Sequence, residues 1–213
     1  MLIPSRRVMV ALTLASGLAA VLPIAASLPA AADDKTLVQA LRAGGLVIVF
    51  RHGGTYPDQA DTDPLNPGNV KAQRQLNDSG KAAAKALGEA FRALGVPVGK
   101  VYTSQFHRAY ETATLAGFKD IEKTADISEG GLVVSPNENN RRAKAFRQLV
   151  STAPAAGTNT VLVSHKPNII DALGKDWFEV KEGEAAILRP EGGSYKLVAR
   201  VQMDEWPRIA AAK

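Results

Sequence analysis

Apolar positions run through the chain in two alternating rhythms. Leu46 to Phe50 and Thr160 to Ser164 are short runs of mostly β-branched or large apolar residues, as expected of strands buried on both faces. Val101 to Thr103 and Leu132 to Val134 read as shorter strands, and Ala185 to Leu188 and Tyr195 to Val201 as a closing pair around Glu191-Gly192-Gly193. Between them lie segments of helical spacing. Asp34 to Arg42 places Leu37, Val38 and Leu41 on one side. Asn77-Asp78-Ser79-Gly80 opens Lys81 to Leu94, with Ala83, Ala86, Leu87, Ala90, Phe91 and Leu94 on one face. Gln105 to Ala116, Asn139 to Val150 and Pro167 to Leu173 complete the set, the last with proline in its first turn. Strands alternating with helices predict an α/β domain: a mainly parallel sheet sandwiched between two helical layers. In such sheets the ligand site lies at the carboxyl ends of the strands.

The segment Gly54 to Gly68, rich in Asp, Pro, Gly and Asn, reads as a loop. It is long for a compact domain, which suits a functional loop. Its Asp58, Asp61 and Asp63 read as turn residues beside Pro57, Pro64 and Gly68 in preference to a cation site.

The first 32 residues differ from the rest. They hold Arg6 and Arg7, no acid, an apolar stretch from Val8 to Val21, and Ala30-Ala31-Ala32 before Asp33. A basic start, short apolar core and small-residue end describe a cleavable export signal. The stretch is short for a membrane-spanning helix. Residues 1–32 are therefore expected to be removed, leaving a domain over 33–213 that is periplasmic or secreted, with no stable membrane insertion. Ser5-Arg6-Arg7 resembles a twin-arginine signal only weakly, which favours the general secretory route.

Composition narrows the chemistry. The 213 residues include no cysteine, which excludes disulfides, thiolate nucleophiles and cysteine-ligated metals. The formal charge of +5 includes the two arginines of the leader, so the remaining chain is only mildly basic. No basic run exceeds two residues, and nothing argues for a nucleic-acid partner. Three histidines are present, and two of them, His52 and His165, directly follow the two apolar strands. Arg51 adjoins one. Arg108 lies one turn past the strand ending in Thr103-Ser104. Two arginines and two histidines at one sheet edge make an anion site, and guanidinium suits bidentate contact with phosphate. His107 reads as a surface or supporting residue. Trp177 and Trp206 read as packing residues, and Arg141, Arg142, Lys144 and Arg147 as a solvated helix face.

These residues resemble a known family. Arg51-His52-Gly53 resembles the RHG signature of the histidine phosphatase superfamily, in its branch 1 form. Ser104, Arg108, Ala109, Thr112 and Ala113 are similar to its second arginine motif, and Ser164-His165 to its second histidine. Gln73-Arg74 and Leu76-Asn77-x-x-Gly80 resemble its usual entry into the second helix. The resemblance spans about Leu46 to Pro190 and implies a phosphoglycerate mutase-like fold. It implies that His52 attacks phosphorus and becomes a phosphohistidine, while Arg51, Arg108 and His165 bind the phosphoryl oxygens. The implied substrate is a small phosphate ester, with no metal or other cofactor. The implied activity is an exported phosphomonoesterase. A phosphomutase-like transferase and a non-catalytic anion-binding protein are the alternatives. The leaving oxygen needs a proton, which a carboxylic acid supplies in this family. The choice falls on Glu138, at the start of the Asn139–Val150 helix, with Glu129, Asp171 and Glu184 in reserve. Glu111, a turn beyond Arg108, reads equally as a salt-bridge partner.

Overall fold

The structure, a computed structural model, describes residues 34–130 and 134–211. The predicted leader, residues 1–32, lies outside the described residues, as do Leu132 and Val133 of the strand predicted over Leu132 to Val134. Helix α1 (Asp34–Ala43) precedes strand β1 (Val47–Arg51). Helix α2 (Asp78–Leu94) is followed by β2 (Val98–Ser104), α3 (His107–Leu115) and β3 (Ile121–Thr124). Helix α4 (Pro136–Ser151) leads to β4 (Asn159–Ser164) and α5 (Lys166–Leu173). The hairpin β5 (Ala185–Glu191) and β6 (Ser194–Val201) and the short helix α6 (Trp206–Ala211) close the domain. None of these helices is long and apolar enough to cross a membrane.

The six strands form one sheet in the order β3-β2-β4-β1-β5-β6. β3, β2, β4 and β1 are parallel neighbours, and β5 runs antiparallel to both β1 and β6. Alternation along the strands divides the core in two. Ile48 and Phe50 of β1, with Val161 and Val163 of β4, face α1, α2, α3 and α6. Val47 and Val49, with Leu162, face α4 and α5. The architecture is therefore the three-layer sandwich that the pattern predicts. Asn159, fully buried, ties the layers together at the amino ends of the strands. Its side chain accepts from Leu46 N (3.1 Å) and donates to Leu41 O (2.8 Å) and Pro97 O (2.9 Å).

Two elements depart from the sequence expectation. The outer strand beyond β2 is β3, an edge strand with exposed Glu122 and Lys123 and no apolar alternation. Helix α6 is only six residues long, but it buries Trp206 against Phe50 and Phe91.

Candidate active site

The site follows from register. β1 and β4 are adjacent and parallel, with Arg51 opposite Ser164, so the next residue of each, His52 and His165, lie side by side beyond the sheet. His52 N donates to Ser164 O at 3.0 Å, and the two imidazoles stand 5.2 Å apart between centroids. Both histidines are about 1% exposed.

Glycine lets α2 begin directly against the chain that leaves β1. A Cβ on Gly80 would lie 2.2 Å from Gly54 O and 2.6 Å from Gly54 N, so only glycine fits. Asn77 caps α2 by accepting from Gly80 N, and its Nδ2 donates to Thr55 O. From the other side Thr112 Oγ1 of α3 accepts from Gly53 N at 3.0 Å and donates to Arg108 O at 2.7 Å. The backbone after His52 is thereby fixed by two helices.

Hydrogen bonds set the imidazole tautomers. His52 Nδ1 donates to Gly53 O at 2.8 Å; a carbonyl only accepts, so in the neutral ring the lone pair is on Nε2. His165 Nε2 lies 2.7 Å from Ser104 Oγ. That hydroxyl accepts from Phe106 N, and His165 Nε2 is the acceptor within reach of its own proton among the described residues, which assigns the His165 proton to Nδ1. Nδ1 is 3.6 Å from Glu129 Oε2. Burial, and then the nearby Arg108, hold both histidines well below the usual imidazole range, so both rings are neutral at pH 7.

Arg108 is fully buried. Its Nη1 donates to Asp61 Oδ1 at 3.0 Å and its Nη2 to Glu129 Oε2 at 2.8 Å, with the guanidinium carbon 4.8 Å from the centre of the Phe106 ring. Arg51 donates to Val180 O at 2.9 Å and lies 3.6 Å from Glu182 Oε1. The structure thus brings together Arg51, His52, Arg108 and His165, all four expected at this edge. It adds Asp61, Glu129 and Glu182. Asp61 is no plain turn residue: its carboxylate joins the loop to Arg108 and also accepts from Arg74 N at 2.9 Å. Asp63, by contrast, accepts from Asn69 within the loop.

Glu138 is not brought into this group. Both of its carboxylate oxygens are held by Arg141 and Arg142, one helical turn away. Those hydrogen bonds lower its pKa to about 2, which unsuits it to carry a proton. Its neighbour Glu129 is the carboxylate beside His165 and Arg108. The Ser128-Glu129 segment is anchored by Asn168 and Arg142, both donating to Ser128 O. Of the reserves, Glu184 is buried against Arg200 and Asp171 is exposed on α5. Glu111 pairs with Lys81 and His107, and Trp177 and Trp206 are buried in the core. The arginines of α4 are engaged with Asp126, Glu138, the 128–129 backbone and Asp171 O.

Residues 47–132 match the model of the histidine phosphatase superfamily (branch 1). The matched segment, less than half of the chain, is similar to this superfamily. Its members are phosphatases or mutases. Among solved structures the chain is similar to the protein histidine phosphatase SixA complexed with tungstate, at 17% identity and a TM-score of 0.52, covering 75% of this chain and 98% of that one. A phosphoserine phosphatase from Entamoeba histolytica in complex with 3-phosphoglyceric acid is similar at 16% identity and a TM-score of 0.52, covering 74% and 98%. YhfR of Bacillus stearothermophilus gives 16% and 0.52, covering 72% and 95%. At these identities the likeness is one of fold. No curated protein matches the chain. The superfamily signature accounts for Arg51-His52-Gly53 and Arg108 within the matched segment, while His165 lies beyond it.

Proposed function

We propose that the protein is an exported phosphomonoesterase that works through a phosphohistidine on His52. One observation carries the reading. Buried polar side-chain atoms normally find partners. Among the described residues, Arg51 Nε, Arg108 Nε and His165 Nδ1 are buried without a hydrogen-bond acceptor in the protein, and all three belong to the group around His52. Three donors around a neutral imidazole with its lone pair on Nε2 suit a phosphoryl group: oxygens accept from the donors while phosphorus meets the nucleophile.

The steps follow. His52 Nε2 attacks phosphorus, the P–N bond forms, and the ester P–O bond breaks. The leaving oxygen takes a proton from Glu129, here assigned as the general acid in place of Glu138. Glu129, now a carboxylate, takes a proton from water as that water attacks phosphorus. The P–N bond breaks, releasing orthophosphate and restoring neutral His52. Arg51, Arg108 and His165 hold the phosphoryl oxygens in both steps. No step draws on a metal.

Residues 1–32 are proposed to direct export and to be removed near Asp33. The intact mass of protein recovered outside the cytoplasm tests this; retention of the leader there contradicts it. For the activity, the protein is assayed on a panel of phosphate monoesters with and without a chelator. The expected result is release of orthophosphate unaffected by chelation. Transfer of the phosphoryl group to a second substrate position, without net orthophosphate, would favour a mutase. Tight binding of orthophosphate without turnover of any ester would favour a non-catalytic role.

A further inference from the structure

The site holds one cation more than the phosphoryl group needs. Arg51 and Arg108 both have carboxylates close by: Glu182 for the first, Asp61 and Glu129 for the second. Arg74 has none. Its guanidinium makes no ion pair or hydrogen bond among the described residues, although its backbone is held firmly.

The anchoring is extensive. Arg74 N donates to Asp61 Oδ1, the same oxygen that accepts from Arg108, so one carboxylate oxygen separates the Arg74 backbone from the Arg108 guanidinium. Gln73, buried on one side of it, accepts from His107 N at 2.7 Å and donates to Pro67 O at 2.7 Å. On the other side Leu76 bridges to Thr55, three residues beyond His52. Residues 73–76 therefore run beside the chain leaving the nucleophile. Arg74 is only half-buried, whereas Arg108 is wholly enclosed. Its charge is felt inside the site: it lowers the proton affinity of Arg51, His52 and His165, and at His165 its influence exceeds that of Arg51.

We infer that Arg74 binds a second anionic group on the substrate, next to the scissile phosphate, and selects phosphate esters that carry one. The inference rests on the phosphomonoesterase reading and adds the substrate class. The three buried unpartnered donors of Arg51, Arg108 and His165 serve the transferred phosphoryl group. Arg74 is less buried than Arg108 and His165, and its backbone lies across the Asp61 carboxylate from Arg108. A guanidinium whose backbone is anchored beside the site, and which has no carboxylate to give up, is available to an anion that arrives with the substrate. The shared chemistry is a carboxylate or a second phosphate separated from the phosphorus by the ester oxygen and a short carbon spacer.

The test is equilibrium binding of three unreactive probes to the purified protein: methylphosphonate, 3-phosphonopropionate and ethylenediphosphonate. The first has one anionic group; the second adds a carboxylate, and the third a phosphonate. Wild type is expected to hold at least one of the two larger probes about tenfold more tightly than methylphosphonate. The tighter of the two identifies the second anion. Arg74→Gln should bring that ratio close to one, and Arg74→Lys should retain part of it. A wild-type ratio near one, or a ratio unchanged in Arg74→Gln and Arg74→Lys, overturns the inference, as does an equal loss of all three probes. If methylphosphonate itself does not bind wild type, the phosphate-pocket reading fails, and this inference with it.

Discussion

Gly80→Ala tests whether the nucleophile is positioned by the helix packed behind it. In most exposed helical positions this change stabilises, because glycine costs about 1 kcal/mol relative to alanine. Here the new Cβ would lie 2.2 Å from Gly54 O and 2.9 Å from Gly54 C, both backbone atoms two residues from His52. Ordinary van der Waals contact begins near 3.4 Å, so α2 and the Gly53-Gly54 segment must separate by roughly 1 Å. Overpacking of this kind costs about 1–3 kcal/mol, and in a domain of this size each kcal/mol lowers Tm by about 2–4 °C. The larger effect is expected on rate, because a displacement of about 1 Å at a reacting group can cost ~10²-fold. Gly88→Ala is the matched comparison: its Cβ would lie 1.9 Å from Ala116 O, in the same helix but against the loop after α3. Both variants should melt earlier by differential scanning calorimetry, and Gly80→Ala alone should lose about a hundredfold in kcat/KM. A Gly80→Ala protein that is more stable than wild type, or that melts early with kcat/KM intact, would refute the argument.

Three further outcomes follow from the same geometry. His52 and His165 are buried neutral, with folded-state pKa values well below the ordinary 6.5. The unfolded chain therefore binds more protons as pH falls below that value, and stability should drop by up to about 1.4 kcal/mol per histidine per pH unit between pH 6.5 and 5; urea melts of wild type and of His52→Asn/His165→Asn should show the slope flattened in the double variant. Glu129→Gln should slow esters with poor leaving groups far more than nitrophenyl phosphate, and an equal effect on both would remove Glu129 as the proton donor. Asn159→Ala, which strands Leu46 N while Leu41 O and Pro97 O keep Gly44 N and the residue 159 N–H, should destabilise by about 2 kcal/mol in urea titrations without altering KM; a loss under about 0.5 kcal/mol would contradict the clamp described here.

The parts of the fold that the sequence reveals are those with a strong period. Val47–Phe50 and Thr160–Val163 are apolar on both faces because helices cover both, and residues that directly follow such strands are bound to meet at one sheet edge. Arg51, His52 and His165 were legible for that reason, and Arg108 through the turn after β2. Ile121–Thr124 was not, because an edge strand need not alternate: its Glu122 and Lys123 face water. Glu138 stands outside the group around His52 for a local reason. A carboxylate in the first turn of a helix is within reach of arginines at i+3 and i+4, and Arg141 and Arg142 occupy those positions. Glu129, in a loop, has no period to report it, and only the tertiary fold brings it to His165. Asp61 was hidden in the same way: its role comes from its loop folding onto Arg108. The turn chemistry of that loop was readable; its contact with a buried arginine 47 positions away was not.

The central claim is that His52 carries the phosphoryl group between ester and water. It is tested most directly by quenching the protein with base after brief mixing with a ³²P-labelled ester, then mapping the label by peptide mass spectrometry. The account predicts an acid-labile, base-stable phosphate on the peptide containing His52, absent in His52→Ala, which should remain folded and without turnover. Label on another residue, or substantial turnover in His52→Ala, would contradict it.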